Sequence, residues 1–361
     1  METIEQALAQ LADGRPVVVV DGPDRENEGD LIVAADRIST ATMAFLVRHT
    51  SGFVCVALTE PDCERLALPA MHHRNADRFG TAYRVTVDAA EGVSTGISAR
   101  DRAHTARSLA DPSTEPADLT RPGHVVPLAA CPGGVLARPG HTEAAVDLAR
   151  LAGLRPAGVL SEIVSPREPA RMASRPELAD FAAEHDLAMI TIADLAAYRR
   201  ATERAVERVT GVRLPTSAGT VRAVGYRGTL DAAEHIALVT GDVRGADVPV
   251  HVHLECVPGD VFGSHRCTCA RRLDEARHEI TAARRGIVVY LRPADGDPLR
   301  ALSAAHDRGP ADPAVAAAIL SDLGVTSIRH LRNAEPVRRA LDTALSVAVT
   351  GAPATPPGAV A

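Results

Sequence analysis

Hydrophobic positions in the first two hundred residues alternate between helical spacing and short apolar runs. Ile4, Ala7, Leu8 and Leu11 recur at the spacing of an amphipathic helix, which Gly14 ends. Further helices are predicted at residues 40–49, 99–110, 142–152, 176–186 and 192–204. Strands are predicted at residues 16–20, 31–35, 53–58, 83–88, 158–164 and 188–192. This alternation predicts a mixed α+β domain with a mostly apolar sheet.

The chain is long enough for two domains. Its 361 residues exceed what one typical hydrophobic core organises. Residues 199–211 are charged and helical in pattern, and we interpret them as the bridge between the domains. The predicted domains are residues 1–203 and 204–350. A Gly-, Pro- and Ala-rich tail at residues 351–361 is expected to be disordered.

Composition excludes several classes of protein. The net charge of −7 argues against nucleic acid as a general partner, and 2% aromatic residues leave little to stack on bases. All 39 basic residues are arginine, which rules out lysine Schiff bases and a Walker A loop. No apolar run is long enough to span a membrane, and the N-terminus lacks a secretory signal pattern. Six sparse cysteines indicate a reducing, cytoplasmic environment.

The first candidate site is the acidic run from Asp21 to Asp30. Glu26, Glu28 and Asp30 alternate along the chain, directly after the apolar residues 16–20. In an extended segment their side chains would point the same way, and close carboxylates repel unless a cation neutralises them. A hard divalent cation is the usual partner of such oxygen ligands. The alternative is an acidic turn that is solvated at the surface.

Three other positions in this domain suit chemistry. Arg138-Pro139-Gly140-His141-Thr142 precedes a predicted helix, whose open amides, with an arginine and a hydroxyl, suit a phosphate group. His141 is either a metal ligand beside the acidic run or a helix cap. Glu162 lies in an apolar run, where a desolvated carboxyl would suit acid–base work, unless it faces solvent from an edge strand. His124, in a Pro-Gly turn, is open to the same two interpretations.

Seven motifs are spaced along residues 3–200 in a recognisable order. They are Asp24-Arg25-Glu26-Asn27-Glu28-Gly29-Asp30, Arg48-His49-Thr50-Ser51-Gly52, Gly92-Val93-Ser94-Thr95-Gly96-Ile97-Ser98, Asp118-Leu119 through His124, Gly134-Val135-Leu136, Gly140-His141-Thr142-Glu143 and Pro156-Ala157-Gly158-Val159-Leu160. In this order they resemble 3,4-dihydroxy-2-butanone 4-phosphate synthase. That family converts D-ribulose 5-phosphate to L-3,4-dihydroxy-2-butanone 4-phosphate and formate in riboflavin biosynthesis. The resemblance implies its fold and an active lyase.

The resemblance also implies roles for particular residues. Glu26 and His141 would be the protein ligands of a pair of Mg²⁺ or Mn²⁺ ions. His124 and Glu162 would be essential for proton transfer. The family further implies a homodimer with its site near the subunit interface. The substrate contacts would be Arg25, Glu26, Asp30, Glu162 and the phosphate-holding loop residues Arg138, Pro139, Gly140, His141 and Thr142.

The chain departs from the family pattern in the loop that covers the substrate. The family's Asn-Thr-x-x-Tyr-Gly-Thr is here Asn75-Ala76-Asp77-Arg78-Phe79-Gly80-Thr81, and Arg84 replaces a small polar residue. The affinity for substrate or the rate is therefore expected to differ from that of the family. The implied ligands and proton-transfer residues are intact.

A second candidate site lies in the C-terminal domain. Cys256, Cys267 and Cys269 are spaced so that three thiolates can meet at one soft metal ion, zinc first, with a fourth position open. A chance group of core cysteines is the alternative. The surrounding segments resemble GTP cyclohydrolase II, namely Leu214-Pro215-Thr216, Glu234-His235, Gly241-Asp242 and Val252-His253-Leu254-Glu255-Cys256.

Much of that second family's catalytic equipment is missing from this chain. Residues 293–299 lack its Gln-Glu-Gly-Arg motif, Gly309-Pro310-Ala311 stands where it has Asp-x-Arg, and no lysine exists to bind a triphosphate. His251 replaces an arginine, and Arg272 a glutamine. Two hypotheses follow. We favour a domain that binds one zinc ion without catalysis. The other is a bifunctional chain that also hydrolyses GTP to a diaminopyrimidinone phosphate, formate and diphosphate.

Overall fold

The computed structural model describes residues 3–217, 219–229, 233–293, 313–333 and 335–350. The chain divides into two compact units between Arg199 and Arg200. Each unit is mixed α/β and is built around its own sheet. The tail at residues 351–361 and the segment Gly309-Pro310-Ala311 lie outside the described residues. Within the described part, no helix is long and apolar enough to cross a membrane.

The first unit alternates helices and strands along the chain. Its helices are α1 (Ile4–Ala12), α2 (Thr40–His49), α3 (Glu60–Arg65), α4 (Ala99–Ala110), α5 (His141–Leu151), α6 (Arg175–Glu184) and α7 (Ile192–Thr202). Its strands are β1 (Val17–Val20), β2 (Gly29–Ala34), β3 (Cys55–Leu58), β4 (Val87–Ala89), β5 (Leu119–Ala129), β6 (Gly158–Glu162) and β7 (Met189–Thr191).

These strands form one mixed sheet in the order β4-β5-β3-β6-β2-β1-β7. Strands β1, β2 and β3 are buried along their whole length, which explains why their sequences are almost continuously apolar. Val18 and Val20 of β1 belong to one hydrophobic cluster, and Val17 and Val19 to another. Alternate side chains of the sheet thus supply a core on each face.

Side-chain caps fix where several helices begin. Thr3 and Gln6 form a capping box at α1, and Ser39, Thr59 and Ser98 each accept a hydrogen bond from the first turn of α2, α3 and α4. Each cap satisfies an amide that has no partner within the helix and typically contributes about 1 kcal/mol. Helix α5 is different, because its N-cap is a glycine with no side chain.

The second unit contains strands β8 (Val206–Thr216), β9 (Gly219–Gly228), β10 (Glu234–Thr240), β11 (Val248–Leu254), β12 (Gly286–Leu291) and β13 (Ile328–His330). Its described helices are α8 (Val257–Asp260), α9 (Cys269–Ala283), α10 (Pro313–Asp322) and α11 (Glu335–Thr350). The strand order is β13-β11-β12-β10-β9-β8. Apolar residues of β9 to β12 pack with α10 and α11 in one core.

The structure corrects three local predictions. The bridge expected at residues 199–211 is not one helix, because α7 ends at Thr202 and β8 begins at Val206. The strand expected at residues 83–88 is reduced to β4, with isolated bridges at Tyr83 and Arg84. The expected turn before His124 lies within β5. Irregular pairing of β4 with β5 provides hydrogen-bond partners that local sequence does not reveal.

Candidate active site

Asp21 organises the acidic run into a turn. Its carboxylate accepts hydrogen bonds from the backbone amides of Glu26 at 3.0 Å and Glu28 at 2.9 Å, and from the Arg25 guanidinium at 3.1 Å. Asn27 has a φ of 56°, in the left-handed region that asparagine tolerates better than most residues. The prediction of an extended segment is therefore wrong for these residues. The role of Asp21 was not evident from the alternating carboxylates.

His141 meets two of the predicted carboxylates. Its Nε2–H donates to the carbonyl of Val19 at 3.2 Å, so Nδ1 is the nitrogen that faces the acidic groups. Nδ1 lies 3.6 Å from Glu26 Oε2 and 3.9 Å from Asp30 Oδ1. His141 begins α5 and Asp30 lies on β2, so packing of the helix on the sheet brings the group together.

Burial changes the ionisation of this group. Burial, reinforced by Glu162 and Glu26 and opposed by His141, raises the pKa of Asp30 to about 7. Burial also opposes a charge on His141, but attraction by Asp30 and Glu26 outweighs it and raises the pKa of the imidazole to about 9. Asp30 Oδ1 is buried and has no hydrogen-bond partner among the described residues. A divalent cation would fit these oxygen ligands.

Glu162 extends the acidic group from the neighbouring strand. In the antiparallel pairing of β2 with β6 it lies directly opposite Asp30. Its carboxylate accepts a hydrogen bond of 2.6 Å from Ser51 Oγ. Because β6 lies between β3 and β2, the alternative of an edge strand is excluded. Burial, followed by the charges of Glu162 and Glu26, raises the pKa of Glu28.

The loop before α5 gathers two arginines around a glycine. The Arg138 guanidinium donates to Glu143 at 2.6 Å and to the carbonyl of Phe79 at 3.1 Å. A Cβ atom at Gly140 would lie 2.5 Å from Arg138 Nη1 and 3.1 Å from Arg25 Nη2, so a side chain there would have to displace these groups. Two guanidinium groups, the Glu143 carboxylate that pairs with Arg138 and the N-terminus of α5 therefore surround one small space. Such a space suits a phosphate group.

The loop that departs from the family pattern lies against these arginines. The Phe79 ring centroid is 5.5 Å from the Arg25 guanidinium carbon and 5.3 Å from that of Arg78, within the range of a cation–π contact. Arg84, the other departure, turns away and donates to the Glu60 carboxylate at 2.7 Å. Phe79 is thus the altered residue that touches a predicted substrate contact.

His124 pairs with Asp88 on the neighbouring strand. His124 Nδ1–H donates to Asp88 Oδ2 at 2.7 Å, and the His124 backbone amide donates to Oδ1 at 3.0 Å. A side chain at Gly96 would lie only 2.1 Å from Asp88 Oδ2, so glycine makes room for the pair. Nε2 of His124 is then left to take a proton. Asp88 was missed in the sequence, because the register of β4 on β5 creates the contact.

Within one chain, the structure does not bring His124 to the acidic group. Strands β3 and β6 lie between β5, which carries His124, and β2, which carries Asp30. At about 4.8 Å between neighbouring strands, β5 and β2 are roughly 14 Å apart. No hydrogen bond or ion pair joins His124 to Glu26 or His141 in the part of the chain that the structure describes.

Three cysteine sulfurs converge in the second unit. The Sγ atoms of Cys256, Cys267 and Cys269 lie within 4.8 Å of one another, and the first two are 3.8 Å apart. Two sulfurs bound at about 2.3 Å to one tetrahedral zinc ion would also be about 3.8 Å apart. A side chain at Gly259 would lie 2.8 Å from Cys267 Sγ. The spacing of the sulfurs therefore fits a zinc ion.

A buried carboxylate orders the backbone at this cluster. Asp260 accepts hydrogen bonds from the Cys256 amide at 2.8 Å, from His253 Nε2 at 3.0 Å and from the Tyr290 hydroxyl at 2.8 Å. Three donors from three positions hold the turn in which Cys256 lies. The sequence spacing identified the thiols, whereas Asp260 was not recognised as their support.

His251 stands where GTP cyclohydrolase II has an arginine, and it does not replace the positive charge of that arginine. His251 Nδ1–H donates to the carbonyl of Leu331 at 2.9 Å, and the side chain is buried. Burial is the main cause that lowers the pKa of His251 to about 4, so this imidazole is neutral at pH 7. Arg272, at the family's glutamine position, donates to the carbonyl of Arg332.

Two family models match the two halves of the chain. The model for 3,4-dihydroxy-2-butanone 4-phosphate synthase matches residues 5–198, and that for GTP cyclohydrolase II matches residues 207–351. The chain belongs to the 3,4-dihydroxy-2-butanone 4-phosphate synthase family. It is a lyase of riboflavin biosynthesis that converts D-ribulose 5-phosphate to L-3,4-dihydroxy-2-butanone 4-phosphate and formate. The predicted two-domain mixed α/β fold is confirmed.

Relatives of similar length share both halves. Riboflavin biosynthesis protein RibBA of Salinispora arenicola is 56% identical over 94% of this chain and 85% of its own length. RibBA of Nocardia farcinica is 52% identical over 94% of this chain and 87% of its own length.

Two solved structures are similar to the chain at different extents. RibBX of A. baumannii, described as a two-domain 3,4-dihydroxy-2-butanone 4-phosphate synthase, is 36% identical, covers 92% of this chain and 94% of its own, and has a TM-score of 0.69. A 3,4-dihydroxy-2-butanone 4-phosphate synthase in complex with two magnesium ions is 47% identical. It covers 55% of this chain and 96% of its own, with a TM-score of 0.53.

Proposed function

We propose that Glu26 and His141 hold a pair of divalent ions, Mg²⁺ or Mn²⁺, in the synthase site of this chain. The observation that carries the proposal is the convergence of Glu26, His141 and Asp30, whose buried Oδ1 has no partner among the described residues. A synthase 47% identical to this chain was solved with two magnesium ions. When bound, the ions would stabilise charge that develops on the vicinal oxygens of the sugar.

The protein's own groups orient the substrate. Arg138, with the loop up to Thr142, binds the phosphate at the N-terminus of α5, and Arg25 approaches the same space from the other side. The phosphate therefore fixes one end of the sugar, while its carbonyl and hydroxyl groups extend toward Asp30 and Glu162. Those two carboxyls lie opposite each other across β2 and β6, where they are placed to hold and move protons.

His124 supplies the second proton-transfer group. The Asp88 carboxylate fixes the imidazole with Nε2 free, as needed for a general base. Because His124 lies about three strand spacings from the acidic group of its own chain, a second copy of the chain provides it. The site is thus completed at the interface of a homodimer.

Metal removal tests this assignment. Treatment with EDTA should abolish release of formate from ribulose 5-phosphate, and Mg²⁺ or Mn²⁺ should restore it. Glu26→Ala and His141→Ala should each lower kcat by at least about 100-fold and weaken Mg²⁺ binding measured by calorimetry. Asp13→Asn, which alters an exposed carboxylate after α1, is the matched control. Full activity in EDTA, or in both alanine variants, contradicts the assignment.

We further propose that the second unit binds one zinc ion through Cys256, Cys267 and Cys269 but does not hydrolyse GTP. The sulfur spacing supports the metal. The neutral, buried His251 and the absence of lysine support the loss of triphosphate binding, since a triphosphate needs several cationic groups.

Six free cysteines fit a reducing, cytoplasmic environment.

Metal analysis and a GTP assay test the second unit. The full chain should contain about one zinc ion, and Cys267→Ser should lose it, whereas Cys63→Ser, in the first unit, should retain it. Neither protein should release formate from GTP. Absence of zinc from the wild-type chain contradicts the metal site. If the wild-type chain released formate from GTP and Cys267→Ser abolished that release, the bifunctional alternative would be established, in which the second unit also hydrolyses GTP.

A further inference from the structure

A separate cavity of about 300 Å³ lies in the second unit, away from the cysteine cluster. Its walls include Arg208, Arg222, Arg244, Asp242 and Asp322. Residues 241–244, which line the cavity, belong to the loop between β10 and β11. Strand β11 follows this loop and ends just before Cys256. Its seven residues span about 23 Å, so the cavity and the sulfurs are at opposite ends of the sheet.

One acidic group of the wall is already neutralised. Asp322 accepts from Arg208 Nε at 2.9 Å and from the Tyr226 hydroxyl at 2.7 Å. Arg208 also donates to the Asp322 backbone carbonyl at 3.1 Å, which covers the C-terminus of α10. The charge of this aspartate and the end of the helix dipole are therefore balanced before any ligand arrives.

Among the described residues, two further arginines of the wall have no acidic partner. The structure gives no side-chain hydrogen bond or ion pair for Arg222 or Arg244 within the described residues. In the pairing of β8 with β9, Arg213 lies directly opposite Arg222, and like charges in that position repel. Asp242 is the remaining carboxylate, and it accepts from the Arg244 backbone amide at 3.1 Å. The wall thus carries an excess of positive charge.

Hydrogen bonds hold the loops that carry Asp242, Arg244 and Gly324 in place. Arg285 donates to the backbone carbonyls of Asp242 at 3.0 Å and Arg244 at 3.2 Å, so a further guanidinium fixes the loop. The Gly245 amide donates to the carbonyl of Gly324 at 2.9 Å, which joins the two loops at the cavity. A preorganised cationic wall binds an anion with little loss of conformational freedom.

We propose that this cavity binds a small phosphate-bearing anion through Arg222 and Arg244. Two planar guanidinium groups match the oxygens of a phosphate, and the volume accepts a phosphate or diphosphate group with a small substituent. Arg213 adds charge beside Arg222 on the same face of the sheet. The site depends on neither the synthase site nor the cysteine cluster, and it gives the second unit a ligand-binding role of its own.

Calorimetric titration of the full chain with inorganic diphosphate tests the site. Arg222→Gln and Arg244→Gln should each weaken this binding about tenfold, and the double variant should abolish it. Arg227 lies on β9, as Arg222 does, but it forms an ion pair with Glu234. Arg227→Gln is therefore the control and should bind diphosphate like the wild type. Arg138→Gln should leave this binding intact while it removes any binding at the synthase loop.

The unfolding temperature separates binding from a structural role. Without ligand, Arg222→Gln should be at least as stable as the wild type, because the substitution relieves repulsion by Arg213. Diphosphate should raise the unfolding temperature of the wild type and of Arg227→Gln, but not that of the double variant. Diphosphate binding that both glutamine variants retain, or that only Arg138→Gln removes, overturns the proposal.

Discussion

His124 Nδ1 and Asp88 Oδ2 are 2.7 Å apart, which makes Asp88 the group that orients the imidazole for which we propose a role in proton transfer. The same carboxylate accepts the His124 backbone amide through its other oxygen, so ring and backbone are fixed together. This arrangement selects one tautomer and one ring orientation, as carboxylate–histidine pairs do in other enzymes.

Asp88→Asn should therefore lower kcat by roughly 100-fold with little change in KM, because an amide at this position favours the wrong tautomer. Steady-state kinetics with ribulose 5-phosphate measures the effect. Asp88→Glu should recover part of the rate, and the exposed Asp13→Asn should be neutral. A kcat for Asp88→Asn within twofold of the wild type would refute the orienting role.

The proposed sharing of the site between two copies of the chain predicts complementation. Glu26→Ala and His124→Ala should each be nearly inactive alone. When both are produced in one cell, half of the dimers are mixed and each mixed dimer has one intact site, so about a quarter of the wild-type activity should return. Isolated mixed dimers, purified with two tags, should show about half of the wild-type activity, and their assay provides the measurement. No recovery in these dimers would show that both residues serve the same chain's site.

Magnesium affinity should rise with pH. In the metal-free protein the pKa of His141 is raised to about 9, so the proton on Nδ1 must leave before a metal binds. The positive charge on His141 stabilises the folded, metal-free protein. This contribution is fully present below pH 6.5, the ordinary pKa of histidine, and is lost as pH rises through about 9. The apparent Kd for Mg²⁺ should fall by up to about tenfold per pH unit between pH 7 and 9. His141→Asn should show weak binding without that trend, and a flat profile for the wild type would count against ligation by His141.

Phe79 should influence substrate affinity more than turnover. Its ring contacts the Arg25 guanidinium, and such a contact is worth about 0.5 to 1 kcal/mol. Phe79→Leu should raise KM for ribulose 5-phosphate by about two- to fivefold, whereas Phe79→Tyr should keep the wild-type value. His73→Leu, an exposed change earlier in the same region, is the control. An unchanged KM in Phe79→Leu would show that the contact is not used in substrate binding.

Glu177 should make stability depend on acid pH. The Ser174 hydroxyl and then the Ser165 hydroxyl donate to its carboxylate and lower the pKa to about 2. The contribution of Glu177 to the free energy of unfolding is present above pH 4.5, the ordinary pKa of glutamate, and is lost as pH falls toward about 2. Urea midpoints of Glu177→Gln should lie below the wild type at pH 6 and converge with it near pH 2. Glu184→Gln, at the exposed end of α6, should follow the wild type at every pH.

Local pattern predicted a large part of the first unit. The helical spacing from Ile4 to Leu11 and the apolar run at β1 correspond to elements in the structure, since each depends on which faces are buried. The motif order identified the enzyme family. The ligand roles of Glu26 and His141 came from the family resemblance and stay a prediction, and the cysteine spacing marked Cys256, Cys267 and Cys269, whose sulfurs the structure brings together.

Only the tertiary structure decided how these residues meet. The turn at Asp21 replaced an expected extended segment, because backbone amides of Glu26 and Glu28 find their acceptor in that carboxylate. The Asp88 partner of His124 arises from an irregular strand register. Local sequence carries the chemistry and the burial of each segment. Contacts between distant segments depend on strand order and register, which are set by the packing of the whole sheet.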